Sequence, residues 1–375
     1  VGLSGGVDSS VSALLLKKEG SELSGVFIRV WQPDCWQCSW KDDRLDAMRI
    51  CASLAIPFIE LDLEKEYKKE VVDYMIREYK AGKTPNPDVM CNRFIKFGGF
   101  YSWAMKRGAD FIATGHYARV ETREFPISNF QFPKKSGKIQ KLNIKNSLAL
   151  LTGADVNKDQ SYFLWQIRKE QLPHILFPVG GMKKPNVRKL AKRHGLITAD
   201  KKDSQGLCFI GKVDMKEFLK HYIKEKPGTV RSEKGKALGT HAGAFLYTIG
   251  ERYGGAVTRS DLVKRSDLGE MSSYYVIAKD VRKNTLTVST KKPNGRLGGM
   301  VTEVELKNCN WLLKPLSGKV YSARTRYRQP LQRCRMVNTY GRRQMLCFEK
   351  PQTIAPGQSL VLYDNDLIIG GGIIS

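Results

Sequence analysis

The stretch Ser4-Gly5-Gly6-Val7-Asp8-Ser9, which directly follows a short apolar start, constrains this chain more than any other. A helical pattern comes next, with Val11, Leu14 and Leu15 on one face and Gly20 at its end. This order predicts a strand, a tight loop and the first turn of a helix. Glycines let a backbone approach a phosphate closely, and the unpaired N–H groups of a first turn attract anions. We therefore expect a phosphate site here rather than a turn that only connects two elements.

No lysine follows the glycines, so the loop does not match the G-x-x-x-x-G-K-[ST] pattern of P-loop nucleoside triphosphatases. It resembles instead the PP-loop of the N-type ATP pyrophosphatases, enzymes that split ATP into AMP and pyrophosphate while adenylating an oxygen. That resemblance implies phosphate contacts from Ser4, Gly5, Gly6 and Ser9, with Asp8 near Mg²⁺.

The chain carries a large positive charge, because 63 Lys and Arg residues against 37 Asp and Glu give a formal net charge of +26. Such an excess favours a polyanionic partner, with a basic proteome or compartment as the alternative explanation. At 375 residues the chain is long enough for two or three domains. No apolar run reaches the length of about 18 residues that a membrane span requires, so no span is expected.

Eight cysteines are too few for a disulfide scaffold, which indicates a reducing compartment and thiols kept for chemistry or packing. Cys35 and Cys38 form a C-x-x-C pair that, with Cys51 as a third ligand, could be half of a zinc site. No second C-x-x-C and no histidine pair lies nearby in the sequence, so no metal site is predicted.

Short apolar or β-branched runs alternate with amphipathic helical stretches in the first third of the chain. Strands are predicted at 25–31, 57–61 and 110–114, and helices at 42–55 and 64–80. This alternation indicates a doubly wound parallel sheet. Ligands of such sheets bind at the carboxyl ends of the strands, where Ser4, Ile28 and Gly115 all fall.

Two isolated cysteines, Cys91 and Cys208, lie among polar, turn-forming residues, and neither fits the helical stripes of a core. Asp88 is predicted to cap a helix that begins near Val89, which would place Cys91 in its first turn and lower the pKa of its thiol. Packing of Cys91 as a small buried residue is the alternative. Cys208 follows a charged, glycine-containing stretch and precedes an apolar one.

The rest of the chain is predicted to hold a basic insertion, two further helices and two β-rich domains. In the insertion at 121–147, residues 122–147 contain six basic residues and one acid, which is typical of a solvated, flexible loop, with RNA contact as a secondary role. Residues 154–165 are predicted to turn from a polar loop into an amphipathic helix, and residues 185–195 to form another helix. Barrel strands are predicted at 301–306, 319–328, 333–340, 344–350 and 359–363. We therefore expect an α/β catalytic domain at 1–212, a small β-rich domain at 213–294 and a closed β-barrel at 295–375.

Positive charge is concentrated in the predicted barrel, where residues 318–350 carry nine Arg and Lys residues and one Glu. Alternation along a strand at 319–328 would place Arg324, Arg326 and Arg328 on one face. Such a row suits RNA phosphates, whereas a merely solvated face would usually mix charges of both signs.

Five ordered motifs make the chain resemble the tRNA-specific 2-thiouridylases, which thiolate the wobble uridine at position 34: S-G-G-V-D-S, N-P-D-x-x-C-N-x-x-I-K-F, A-T-G-H-Y-A-R, K-D-Q-S-Y-F-L and S-x-G-x-C-F-I-G. The resemblance extends over nearly the whole chain. It departs at 247–255, where a T-I-G-Q-R-x-G-L-G-type stretch is degraded. Phe94 stands where some relatives carry a further Cys, so no iron–sulfur cluster is expected.

The resemblance implies a role for each motif. Cys208 would accept sulfur as a persulfide from a partner protein, Cys91 would be the second catalytic thiol, and Asp88 would be an acid or base. ATP would lie at Gly2, Leu3, Ser4, Gly5, Gly6, Val7, Asp8, Ser9, Ile28 and Gly115. Asn86 and Pro87 would seat the flipped base, and tRNA would contact His116, Lys158, Asp159, Gln160, Arg326, Tyr327 and Gln358.

Two other functions stay open from the sequence: a PP-loop enzyme that adenylates a small molecule, and a non-catalytic RNA-binding protein. An enzyme that adenylates a small molecule would not need two loop cysteines and a basic barrel. A non-catalytic RNA-binding protein would not need a phosphate loop. The Lys-rich composition and the degraded stretch favour a mitochondrial location, with the bacterial cytoplasm as the alternative.

Overall fold

The computed structural model describes residues 1–33, 40–126, 144–203, 206, 208–211, 214–254, 273–290, 300–338 and 344–375. Cys35, Cys38 and the middle of the predicted basic insertion lie outside these residues.

The α-helices are α1 (Val7–Lys18), α2 (Trp40–Ser53), α3 (Glu64–Tyr67), α4 (Tyr74–Lys80), α5 (Pro87–Met90), α6 (Tyr101–Lys106), α7 (Lys184–Arg193) and α8 (Met215–Tyr222). Lys68–Asp73 and Cys91–Phe100 are π-helices, and Ser161–Phe163, Lys169–His174 and Ala244–Leu246 are 3₁₀-helices. The strands are β1 (Gly25–Arg29), β2 (Phe58–Asp62), β3 (Ile112–Ala113), β4 (Ala118–Pro126), β5 (Ile144–Thr152), β6 (Ile175–Leu176), β7 (Gly228–Ser232), β8 (Ala237–His241), β9 (Arg252–Tyr253), β10 (Tyr274–Asp280), β11 (Thr285–Ser289), β12 (Met300–Trp311), β13 (Val320–Arg324), β14 (Gln332–Asn338), β15 (Gln344–Thr353), β16 (Ser359–Asp364) and β17 (Leu367–Ile374).

A parallel sheet forms the centre of the first domain, as the alternating sequence pattern predicts. β1 pairs with β2, and β3 pairs with β6, both in parallel. The start of the chain lies between these pairs, because the Leu3 N–H donates to Val26 O at 2.8 Å and the Gly2 N–H donates to Ala113 O at 2.9 Å. The strand order puts the loop after Leu3 in the middle of the carboxyl edge of the sheet, where ligands of such folds bind.

Helices cover both faces of this sheet, so the doubly wound prediction is confirmed. On one face Val11 of α1 packs in one buried cluster with Val187 and Ala191 of α7. A second cluster contains Ile95 and Phe100 of the π-helix. None of the helices in the described ranges is long and apolar enough to cross a membrane.

The helix predicted at 154–165 is wrong, because this segment forms only the single 3₁₀ turn Ser161–Phe163. The Asp159 carboxylate accepts the backbone N–H groups of Gly153 and Ser161, both at 3.1 Å. A side chain that takes backbone donors in this way competes with the helical hydrogen-bond pattern. Apolar residues of this segment, such as Leu164 and Trp165, lie in an irregular loop and are nevertheless fully buried.

The ends of the basic insertion, predicted as a flexible loop, form an antiparallel hairpin of β4 and β5, paired from Ala118↔Thr152 to Pro126↔Ile144. β5 also joins the C-terminal sheet, since Leu151 pairs with Leu367 of β17 and the Thr152 N–H donates to Asp366 O at 2.8 Å. The first domain and the barrel therefore share a continuous run of strands.

The second half of the chain contains two β structures. Five strands form a sheet in the order β8-β7-β11-β10-β9. The order β12-β15-β14-β13-β16-β17, with β17 pairing back onto β12, closes a six-stranded barrel. This confirms the predicted closed barrel. The sequence reading missed β17 because its Gly370-Gly371-Gly372 run is typical of a loop, but two neighbouring strands supply its hydrogen-bond partners.

Candidate active site

The phosphate loop leaves β-type backbone after Leu3 and enters α1 through Gly6, which caps the helix without any side-chain hydrogen bond. Gly5 adopts φ +70°, and a Cβ there would lie 2.3 Å from Asp43 O, so only glycine fits. The Ser9 hydroxyl donates to Gly6 O at 3.0 Å and accepts from the Ser4 N–H at 3.2 Å. The loop is thus pre-shaped around the open N-terminal end of a twelve-residue helix, an arrangement that suits phosphate.

Other predicted nucleotide contacts surround this loop. A Cβ at Gly115 would lie 2.6 Å from Ser9 N, so the loop after β3 approaches the first turn of α1 as closely as backbone allows. The side chains of Leu3, Val7 and Ile28 are buried in the core. Through those side chains these residues shape the sheet edge, and any contact with nucleotide would come from their backbone.

A lysine that sequence reasoning missed faces the phosphate loop. Lys184 is only 8% exposed, and its Nζ lies 2.8 Å from both Asp8 carboxylate oxygens and 2.8 Å from Asp203 Oδ1. The Tyr117 hydroxyl also donates to Asp8 Oδ1, at 2.7 Å. The sequence did offer one signal for this residue, since Lys184 is the first residue of helix α7. The helix dipole disfavours a positive charge at that end, so a lysine there indicates nearby acidic partners.

Asp203 links the phosphate loop to the segment that precedes Cys208. It accepts from Lys184 and from Arg188, both at 2.8 Å, and from Lys158 at 2.5 Å. Burial alone would raise the pKa of this carboxyl, but the hydrogen bonds from Lys158 and Lys184 outweigh it and lower the pKa below the usual range. The carboxylate is therefore a fixed anion that ties three cations together.

The two predicted thiols meet, with Cys91 Sγ donating to Cys208 Sγ across 3.3 Å. Asp88 Oδ1 accepts the Cys208 N–H at 3.1 Å, and the Tyr67 hydroxyl donates to Cys208 O at 2.7 Å. Phe209 holds a positive φ of 67°, which turns the chain directly after the thiol. The two cysteines are 117 positions apart, and the contacts of Tyr67 and Asp88 with the Cys208 backbone hold them together.

Two details of the predicted Cys91 helix are wrong. Asn86, not Asp88, caps α5, since Asn86 Oδ1 accepts the Val89 N–H at 3.3 Å and Pro87 occupies the first turn. Burial raises the pKa of the Cys91 thiol well above its usual range instead of lowering it. The hydrogen bond from Cys91 lowers the pKa of Cys208 to about 7, so Cys208 is the more acidic thiol.

Three predicted tRNA contacts, Lys158, Asp159 and Gln160, are engaged within the protein. Lys158 pairs with Asp203, as described above, and Gln160 Oε1 accepts the Tyr117 N–H at 3.0 Å. Asp159, with its side chain 3% exposed, accepts from Arg324 at 3.1 Å. These internal contacts connect the segment to Asp203, to Tyr117 and to the barrel. Its contact with tRNA stays a prediction.

The predicted single face of Arg324, Arg326 and Arg328 is wrong, because β13 ends at Arg324 and the chain turns there. Arg324 is 13% exposed in its ion pair, and Arg326 donates to Ile249 O at 2.6 Å. Arg328, at φ 61°, is exposed and donates to Asn157 O at 3.2 Å. The three guanidinium groups therefore point to different partners, and Arg328 is the one most open to solvent.

All three parts of the chain meet at the segment before Asp88. Thr84 O accepts from Gln358 of the barrel at 3.1 Å, and its hydroxyl lies 3.3 Å from the Thr248 hydroxyl of the central domain. The rings of Tyr327 and Phe163 pack against each other at a tilt of 46°, with their centres 4.5 Å apart. The degraded stretch at 247–255 thus still joins the central domain to the thiol site through Thr248.

Comparison with known proteins assigns the chain to a family. Three family models match successive parts of it: the tRNA methyl transferase HUP domain at 1–212, the tRNA methyl transferase PRC-barrel domain at 216–290 and the Aminomethyltransferase beta-barrel domain at 301–374. A tRNA-specific 2-thiouridylase from Geobacillus thermodenitrificans is 40% identical over 379 residues, which cover 100% of this chain and 93% of that protein. One from Bordetella pertussis is 41% identical over 378 residues, covering 100% and 96%. The chain therefore belongs to the family of the tRNA-specific 2-thiouridylases.

Proposed function

We propose that this protein thiolates the C2 position of the wobble uridine, position 34, of tRNA in an ATP-dependent reaction. The observation that carries the proposal is the pair of sulfurs 3.3 Å apart on the domain that also carries the PP-type phosphate loop. Relatives at about 40% identity over the full chain that are named tRNA-specific 2-thiouridylase support it. The net charge of +26 suits a polyanionic substrate.

The loop residues Ser4, Gly5, Gly6 and Ser9 would hold the phosphates of ATP, which supplies the AMP that activates the uridine oxygen. Asp8 would hold Mg²⁺ together with phosphate oxygens, because Mg²⁺ is commonly bound by one or two carboxylates plus phosphates. The Asp8 carboxylate fits this role, since both of its oxygens already face a cation, the Lys184 ammonium.

Cys208 would carry the sulfur as a persulfide received from a partner protein. Its outer sulfur attacks C2 of the activated uridine and AMP leaves. Cys91 then attacks Cys208 Sγ, which breaks the S–S link, leaves the outer sulfur on C2 and forms a Cys91–Cys208 disulfide. Two external thiols, or one dithiol, must supply two electrons to restore the pair and are themselves oxidised to a disulfide. In a variant of this scheme, Cys91 attacks the persulfide first and the released sulfide attacks C2.

Half-buried Asp88 is the acid or base of the scheme. Burial raises the pKa of its carboxyl, which brings proton transfer closer to neutral pH. Asn86 and Pro87, directly before Asp88 at the start of α5, would seat the flipped uridine. The mitochondrial location expected from the sequence stays a prediction, and the two relatives compared here are bacterial.

The proposal predicts that AMP formation depends on the tRNA and on its uridine 34. With ATP, a persulfide donor and unmodified tRNA, we expect one AMP per 2-thiouridine, measured by nucleotide chromatography and nucleoside mass spectrometry. The same tRNA with cytidine at position 34 is the control and should give neither product. Equal AMP formation without tRNA would instead favour an enzyme of small molecules, and tRNA binding without AMP would favour a non-catalytic RNA-binding protein.

A second prediction separates RNA contact from structural support in the barrel. Arg328→Gln should weaken tRNA binding several-fold and reduce the slope of log affinity against log salt by roughly 0.7–0.9, the value for one lost phosphate contact, because Arg328 is exposed. Arg324→Gln is the matched comparison and should lower the melting temperature, because it leaves buried Asp159 without its ion-pair partner. An unchanged salt slope in Arg328→Gln would exclude this arginine from the RNA contact.

A further inference from the structure

The thiol pair lies against a lysine to which the sequence reading gave no role. The Lys96 ammonium hydrogen-bonds the Cys208 sulfur, and its charge acts on both thiols. Its Nζ also lies 5.5 Å from the ring centre of Phe209, the residue directly after Cys208. Lys96 comes from the π-helix Cys91–Phe100, so the same helix supplies one thiol and the cation beside the other.

His116 fixes this ammonium in place. Its Nε2 lies 3.2 Å from Lys96 Nζ, and its Nδ1 lies 2.7 Å from the Thr114 hydroxyl. An ammonium can only donate, so Nε2 must accept and Nδ1 must carry the proton that it donates to Thr114. Burial and the charge of Lys96 lower the pKa of His116 well below its usual range, which keeps the ring neutral. At 7% exposure, with both ring nitrogens engaged, His116 serves this contact.

The other ionisable groups around Lys96 decide where negative charge resides. Burial raises the pKa of Asp88 and of Cys91, and burial first among several causes raises the pKa of Tyr67, so burial makes all three groups harder to ionise than they are in water. Burial alone would lower the pKa of Lys96, but the charges of Cys208, Cys91 and Asp88 outweigh it and raise that pKa. The ammonium therefore persists, and of the two thiols beside it Cys208 is the one that ionises more readily.

We propose that Lys96 is a further catalytic residue, whose ammonium holds Cys208 as a thiolate and then holds the persulfide anion, and that His116 is the residue that positions it. The sulfur-transfer part rests on the proposed function. The Cys208 thiolate attacks the outer sulfur of the donor's persulfide, the donor's S–S bond breaks, and the donor leaves as a thiolate. The proton of the new persulfide passes to that leaving thiolate, so Lys96 again faces an anion.

The charge arrangement can be tested without ATP, tRNA or donor. In the full-length protein, the rate of Cys208 alkylation by iodoacetamide is followed against pH, with the Cys208 peptide quantified by mass spectrometry. The wild-type inflection is expected near pH 7. Lys96→Gln should move it up by about one unit or more, which lowers alkylation at pH 7 by about fivefold or more, since only the thiolate reacts. Lys96→Arg should keep the inflection close to that of the wild type.

Positioning by His116 predicts a smaller upward shift of the inflection in His116→Asn. Lys106→Gln is the matched control, because Lys106 is an exposed lysine in the helix that continues from the π-helix, and its inflection should not move. An unchanged inflection in Lys96→Gln would overturn the role of Lys96, and an unchanged one in His116→Asn would overturn that of His116.

The wild-type protein alone can also overturn the proposal if a variant fails to fold. A wild-type inflection at the ordinary thiol value of about 8.5 would overturn the proposal. Failure of tRNA thiolation with an inflection near pH 7 that moves in Lys96→Gln would refute the proposed function and leave the charge arrangement standing.

Discussion

Cys208→Ser is expected to lose sulfur loading, whereas Cys91→Ser should still load sulfur on Cys208 and yet form at least roughly 1,000-fold less thiolated tRNA. The reason is geometric: the sulfurs lie 3.3 Å apart, so a small movement brings them to the S–S bond length of about 2.05 Å. Loading is measured with labelled persulfide sulfur, and product is measured by nucleoside mass spectrometry.

Both cysteine variants should bind ATP and tRNA as the wild type does, because the phosphate loop and the barrel contribute neither thiol. Cys347→Ser is the matched control, since Cys347 is a half-buried barrel cysteine, and it should thiolate normally. Wild-type product formation by Cys91→Ser would contradict the two-thiol reaction and return Cys91 to a packing role.

Asp8→Asn is expected to reduce tRNA-dependent AMP formation by about 100-fold or more while tRNA binding changes only a few-fold. The substitution keeps the size of the side chain but removes the charge that faces Lys184 and that would hold Mg²⁺. Lys184 keeps Asp203 as an ion-pair partner at 2.8 Å, so the fold should survive. AMP is measured by nucleotide chromatography and tRNA binding by filter retention.

Asp364→Asn supplies the comparison for Asp8→Asn, because it also breaks an ion pair, with Lys319, but lies on the barrel. It should form AMP at the wild-type rate. If Asp8→Asn retained normal AMP formation, the phosphate loop would have no part in the chemistry.

The sequence predicted those parts of the fold and site that depend on local pattern. The glycines and serines of the Ser4–Ser9 loop, the alternation of strands and helices, and the two isolated cysteines are each visible within a few residues. What it missed depends on distant partners. Asp8 and Lys184 form an ion pair although they are 176 positions apart in the sequence, and Arg324 and Asp159 form one at a separation of 165 positions. No local periodicity could reveal either pair.

Local pattern also gave wrong secondary-structure predictions where a single side chain or a neighbouring strand determined the backbone conformation. The apolar spacing of 154–165 fits a helix, but Asp159 captures the backbone donors that a helix would need. The Gly370–Gly372 run fits a loop, but β12 and β16 on either side make it a strand.

The pairing of Leu151 with Leu367 sets an order for biosynthesis. β17 closes the barrel and also joins the hairpin strand β5, and Gln358 and Ser359, at the start of β16, contact Thr84 and Tyr162 of the first domain. A chain still being translated can fold its parallel sheet early, yet it lacks these contacts until residues up to 374 have left the ribosome. Contacts between residues so far apart in sequence form slowly, because a long loop must close first. The contact between the first domain and the barrel is thus expected to form later than the parallel sheet, once β17 has been translated.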